Sequence, residues 1–180
     1  MRHPRRSPGR GRAAETLVLR ELGSRYRDDP ESPGGRASNG GRILVVDDES
    51  ALRLVCRVNL DSVGFDVLEA GDGETALSLA RTEAPDLILL DVMLPGLDGW
   101  EVAEKLAELP ETREIPVVFL TARSEAPDEL RGHAAGGVGY IAKPFDPAAL
   151  SQTVATVLER VRRGERDDVR REWERSLPRD

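Results

Sequence analysis

The sequence predicts an α/β fold in which a parallel sheet carries helices on both faces, and three observations point there. Five short runs are apolar nearly throughout rather than alternating: Ile43 to Val46, Phe65 to Leu68, Leu87 to Leu90, Val117 to Leu120 and Val138 to Ala142. Strands buried on both faces have this pattern. Segments with helical spacing separate the runs, and alternating βα units of this length require crossover connections between parallel strands. Finally, Asp47, Asp48, Asp91, Thr121 and Lys143 each stand at or just beyond the C-terminal end of a run. In an open parallel sheet those ends line the crevice where ligands bind.

Taken in order, the chain changes character near Gly40. Residues 1–41 are rich in Arg, Gly, Ser and Pro around one apolar island, Leu17 to Leu22. Such a mixture cannot bury enough surface to order itself, so a disordered arm is expected. Asp28, Asp29 and Glu31 interrupt its basic charge. A solvated tail or an over-long gene start is therefore favoured over a nucleic-acid or membrane contact.

The regular pattern spans residues 42–160. The first helix begins at Ser50, repeats Leu52, Val55, Cys56, Leu60 and Val63, and stops at Gly64. The second is expected from about Gly73 to Thr82, before Pro85, and the third from Gly99 to Leu109, closed by Pro110. A weaker fourth lies near Pro127 to Ala135. The last is capped by Asp146, with Pro147 where its missing N–H costs nothing. Residues 161–180, dense in Arg, Glu and Asp, are expected to continue that helix as a charged, solvated extension or tail. Pairs such as Glu159 with Arg162 or Arg163 would add only tenths of a kcal/mol each, on the scale of about 0.3 kcal/mol.

Composition narrows the function classes. A length of 180 residues suits one domain with appendages. Hydrophobic residues at 39% with aromatics at only 4% imply an aliphatic core. The net charge of −7 argues against nucleic acid as a direct partner, because phosphate binding needs a concentrated basic surface. A single cysteine, Cys56, excludes an internal disulfide and a Cys-based zinc cluster, which fits a reducing compartment. No apolar stretch approaches the roughly 20 residues of a membrane span. The Arg-rich start lacks the hydrophobic region of a secretory signal. The predicted location is the cytoplasm.

Three acids, one hydroxyl and one ammonium at a common edge suggest a divalent cation together with a phosphoryl group. At roughly 5 Å and an effective dielectric near 20, each carboxylate pair repels by about 3 kcal/mol, so a cation binds or one acid protonates. Oxygen-only ligands favour Mg²⁺. One shielded carboxylate could then attack phosphorus and form an acyl phosphate, with the hydroxyl and ammonium on its oxygens.

The segments RILVVDDE, DLILLDVMLPGLDGWE, VVFLTAR and YIAKPF resemble the receiver domain of two-component response regulators, over residues 42 to about 160. The resemblance implies a flavodoxin-like, doubly wound sheet of five parallel strands in the order 2-1-3-4-5 with five helices. It implies that Asp91 is the phospho-acceptor. Asp48, Asp91 and the Met93 carbonyl would bind Mg²⁺ directly, with Asp47 acting through water. Thr121 and Lys143 would contact the phosphoryl group, and Tyr140 would be the switch aromatic that turns inward when Thr121 moves. The Lys143–Pro144 bond is expected to be cis.

A sensor histidine kinase or phosphotransfer protein would then be the donor, and His3 and His133 of this chain are not needed. Output would pass to a protein partner through the surface of the fourth helix, fifth strand and fifth helix. The chain would be no enzyme beyond catalysing its own phosphorylation and slow dephosphorylation. Met93 and Arg123 stand where the family modulates hydrolysis, and neither is suited to orient water, so a phosphoryl lifetime of minutes or longer is expected. The stretch GGVGYIAKPF lacks the acidic pair that some receivers place before the aromatic, which removes the basis for their charge-paired dimer, while a phosphorylation-dependent dimer stays open. Gly136, Gly137 and Gly139 are expected to leave this edge flexible. With only about 20 residues, dense in charge, after the core, a stand-alone receiver is expected. An aspartate-nucleophile phosphatase and a phosphorylation-independent, receiver-like binding module are the alternatives. The former usually shows an acid-x-acid spacing on one strand, whereas these acids are adjacent.

Overall fold

The computed structural model describes residues 40–122 and 136–176. Five strands, β1 Gly41–Val46, β2 Phe65–Ala70, β3 Leu87–Asp91, β4 Val117–Ala122 and β5 Gly137–Lys143, form one sheet in the order β2-β1-β3-β4-β5. Every pairing is parallel. The α/β class and the order 2-1-3-4-5 predicted from the sequence hold. The described helices are α1 Ser50–Ser62, α2 Gly73–Glu83, α3 Gly99–Glu108, α4 Pro147–Arg162 and α5 Arg166–Ser176. Most of the predicted arm, the helix expected near 127–135, His133 and Arg123 lie outside the described residues.

Register shows why the runs do not alternate. Leu44 and Val46 align with Ile88 and Leu90, and Ile43 and Val45 with Leu87 and Leu89. The first set joins Ala76, Ala80, Val102, Ala103 and Leu106 of α2 and α3 in one core layer. The second joins Cys56 and Leu60 of α1 with Leu150, Val154, Val157 and Leu158 of α4 in another. Ile43 to Val46 and Leu87 to Leu90 are all fully buried, because helices cover both faces of the central strands.

Three helices, α2, α3 and α4, start as their polar residues dictate. Asp72 accepts from the Thr75 amide, and Asp146 accepts from the Ala148 amide with Pro147 at the first helical position. Asp98 and Glu101 form a reciprocal capping box on α3. No helix among the described residues is long and apolar enough to cross a membrane.

The C-terminal segment differs from its prediction. Instead of prolonging α4, the chain turns at Gly164, whose φ is +82°. Gly164 N–H donates to Val161 O at 2.9 Å and Glu165 N–H to Arg160 O at 3.0 Å, a Schellman stop that glycine adopts without strain. The following helix, α5, lies back against β5. Val169 is buried and Trp173 joins the second core layer. A Cβ on Gly139 would stand 2.9 Å from the Trp173 ring, so this glycine serves a close approach and not a loose edge. Polar clasps complete the docking. Arg166 donates to the carbonyls of Glu114 and Gly136 at 2.9 and 3.2 Å, and Arg160 pairs with both Glu165 and Glu172.

Candidate functional site

Strand order reverses at β1. The chain leaves it for β2 on one side and returns to β3 on the other, which opens the crevice at the strand ends. Asp47 follows β1 there and is fully buried. Its polar groups are all engaged. The amide donates to Ala70 O at 3.1 Å, Oδ1 accepts from the Glu49 amide at 2.8 Å, Oδ2 accepts from Lys143 Nζ at 2.6 Å, and the carbonyl accepts from Arg53 Nη1 at 2.6 Å. Asp48, next in the chain, is exposed.

Asp91 is the last residue of β3 and only 4% exposed. Its Oδ1 accepts from the Met93 amide at 3.2 Å, and its Oδ2 lies 2.9 Å from Lys143 Nζ. The loop behind it closes on Gly99, whose amide donates to Val92 O at 2.9 Å. A Cβ at Gly99 would fall 2.2 Å from the Asp91 carbonyl oxygen, so no other residue permits this approach. The Lys143–Pro144 peptide bond is cis.

Asp47, Asp48 and Asp91 each offer a carboxylate oxygen, and the three lie within 4.8 Å of one another. Burial raises the proton affinity of Asp91, and the charge of Asp47 adds to it; the hydrogen bond from Lys143 opposes both. Burial would lower the Lys143 pKa, but its hydrogen bonds to Asp47 and Asp91 outweigh that and hold it above its ordinary value. Three carboxylates with one ammonium leave excess negative charge among hard oxygen donors, which fits a small divalent cation such as Mg²⁺.

The other predicted residues stand on β4, on β5 and in the loop after β3. Thr121, near the end of β4, is buried and donates its hydroxyl to Ala122 O at 3.1 Å. Tyr140 is half-buried on β5, with its ring stacked on Phe119 at a centroid distance of 5.5 Å. The Met93 side chain is exposed beside the site. Cys56 is buried, and burial pushes its thiol up to about 12, so it offers no nucleophile.

Three residues escaped the sequence reading. Trp100 is buried against Phe119 at 4.4 Å and faces Tyr140 at 6.2 Å, completing an aromatic trio. Its signal was its place immediately after Gly99 in a chain poor in aromatics. Arg53 holds the Asp47 carbonyl and ion-pairs with Glu69 at 3.4 Å. A cation in the first turn of a helix opposes the helix dipole and so calls for such partners. Glu69, which also pairs with Arg57 at 2.9 Å, is a carboxylate near the C-terminal end of β2.

Comparison with known proteins finds relatives of this chain. The family described as the response regulator receiver domain matches residues 43–155. The chain is 44% identical over 119 residues to the alkaline phosphatase synthesis transcriptional regulatory protein PhoP of Bacillus subtilis (strain 168), covering 66% of this chain and 49% of that protein. It is 42% identical over 120 residues to the probable transcriptional regulator ycf27 of Porphyridium aerugineum, covering 67% and 49%. The chain thus spans about half the length of these curated relatives. Among solved structures it is 32% identical to the receiver domain of sensor histidine kinase PA1611 from Pseudomonas aeruginosa PAO1, with a TM-score of 0.61 over 67% of this chain and 98% of that one. That domain was crystallised with a magnesium ion coordinated in the active site cleft.

Proposed function

Because the chain belongs to the response regulator receiver domain family, we propose that it is a switch set by phosphorylation of Asp91. The observation that carries this reading is the Lys143 ammonium bridging two buried carboxylates, Asp47 and Asp91, at the sheet edge.

The donor is the phosphohistidine of a sensor histidine kinase or phosphotransfer protein. An Asp91 carboxylate oxygen attacks phosphorus, the P–O bond forms, and the P–N bond to the donor imidazole breaks. Asp48, Asp91 and the Met93 carbonyl would hold Mg²⁺, with Asp47 acting through water. When bound, the cation supplies neutralisation of charge on the phosphoryl oxygens. Lys143 exchanges its contact with Asp91 for the new dianion, and the Thr121 hydroxyl turns from Ala122 O toward it. The space that Thr121 leaves is taken by the Tyr140 ring, which alters the surface beside β5 and α4 and changes affinity for a protein partner in the cytoplasm. The chain promotes only its own phosphorylation and slow dephosphorylation. Neither Met93 beside the acceptor nor Arg123, two residues beyond Thr121 in sequence, is of a type suited to orient water, and the acyl phosphate lasts minutes or longer.

Labelling with a kinase or acetyl phosphate in Mg²⁺ tests the reading. Wild type should gain an acid-labile phosphoryl group that decays over minutes or longer, and a decay within seconds in the isolated protein would contradict the lifetime.

A further inference from the structure

We propose that Arg53 is a positioning residue for the cation-binding edge and that it sets the affinity for Mg²⁺ without touching the ion. The proposal deepens the switch reading above and rests on its Mg²⁺ site.

Asp48 would be a direct ligand, yet its side chain is exposed and accepts no hydrogen bond among the described residues. Its location is therefore fixed by its own backbone, through the peptide that joins it to Asp47. That peptide is held at its carbonyl by one side chain, Arg53, at 2.6 Å. The guanidinium is held in turn. Its Nε is buried, makes no hydrogen bond among the described residues and is ion-paired with Glu69 Oε2 at 3.4 Å. Glu69 is placed by β2, where it aligns with Val45 one residue before β1 ends. Ala70, the next residue of β2, accepts the Asp47 amide. Strand β2 thus grips Asp47 at its amide directly and at its carbonyl through Glu69 and Arg53. The Asp47 carboxylate is fixed separately, by Lys143 and the Glu49 amide.

Removing the guanidinium leaves the Asp47 carboxylate anchored but frees the Asp47–Asp48 peptide to rotate. The ligand that suffers is Asp48. Groups that orient metal ligands from behind typically account for 10- to 100-fold in affinity.

The test is calorimetric titration of MgCl₂ into wild type, R53A, R53K, E69Q, R57A and D48N, with the thermal midpoint of each measured in EDTA. R53A should bind Mg²⁺ about tenfold or more weakly, and R53K should recover part of the loss because its ammonium reaches the same carbonyl. E69Q should fall between R53A and wild type. R57A, which removes the other ion-pair partner of Glu69, should bind as wild type does. If R53A proves too unstable to titrate, R53K and E69Q decide the matter in the same way. Unchanged Mg²⁺ affinity in these variants, even with lowered midpoints, would overturn the proposal, since a purely structural role moves stability alone. Failure of wild type itself to bind Mg²⁺, or undiminished binding by D48N, would instead overturn the site assignment beneath it.

Discussion

Lys143 Nζ stands 2.6 Å from Asp47 Oδ2 and 2.9 Å from Asp91 Oδ2, so one ammonium joins the ends of β1 and β3 from the far strand β5. Substituting it leaves two buried acids facing each other. The Lys143 side chain is 24% exposed, which softens the 3–5 kcal/mol cost typical of breaking a buried pair. Lys143→Met should lose about 2 kcal/mol in urea unfolding in EDTA. Mg²⁺ should stabilise this variant more than it stabilises wild type, because it replaces the missing positive charge.

The raised proton affinity of Asp91 has a definite sign in stability. Its folded pKa lies above its unfolded value, owing first to burial, so the native state holds the proton more tightly. The favourable contribution is complete below the ordinary aspartate value and is lost as pH rises through the raised one. In metal-free buffer the stability of wild type relative to Asp91→Asn should fall as pH rises across that window. A parallel pH profile for the two proteins would contradict the assignment.

Gly99 carries the loop of the proposed acceptor. Because a Cβ there meets the Asp91 carbonyl oxygen at 2.2 Å, Gly99→Ala should cost about 2 kcal/mol or more by displacing backbone. Phosphoryl labelling should fall along with stability. A variant of wild-type stability and wild-type labelling would show that the loop gives way freely.

Helix α5 should contribute measurably to stability. Trp173 is half-buried against Gly139, so Trp173→Ala should cost about 2 kcal/mol, below the cost of a fully buried Trp. Gly164→Ala should lose about 1 kcal/mol, because φ there is +82°. Denaturant melts of the whole chain measure both.

The Arg160 hydrogen bond lowers the Glu172 pKa. A folded carboxylate below its unfolded value stabilises above the ordinary glutamate pKa, and the contribution disappears as pH falls through the lowered one. The clasp between α4 and α5 should therefore loosen under acid. Trp173 fluorescence in a Trp100→Phe background should report it, with Glu172→Gln already released at neutral pH.

The sheet was legible because Leu87 to Leu90 and Ile43 to Val46 are apolar on both faces and alternate with helical segments, as covered parallel strands do. The grouping in the candidate site was legible because Asp47, Asp91, Thr121 and Lys143 all close or follow such runs. What sequence concealed was long-range. Arg53 reads as an ordinary helix cation until β2 brings Glu69 beside it. Gly164 was hidden among charges that individually favour helix, so the stop before α5 went unread. Trp173 resembled a lone apolar residue on a stalk because its receptor, the bare backbone of Gly139, is marked only by the absence of a side chain.

The central claim is that Asp91 accepts the phosphoryl group. Intact-mass analysis after incubation with acetyl phosphate and Mg²⁺ tests it most directly. The account predicts one added phosphoryl group on wild type, lost on treatment with hydroxylamine, and none on Asp91→Asn. Undiminished phosphorylation of Asp91→Asn would contradict it.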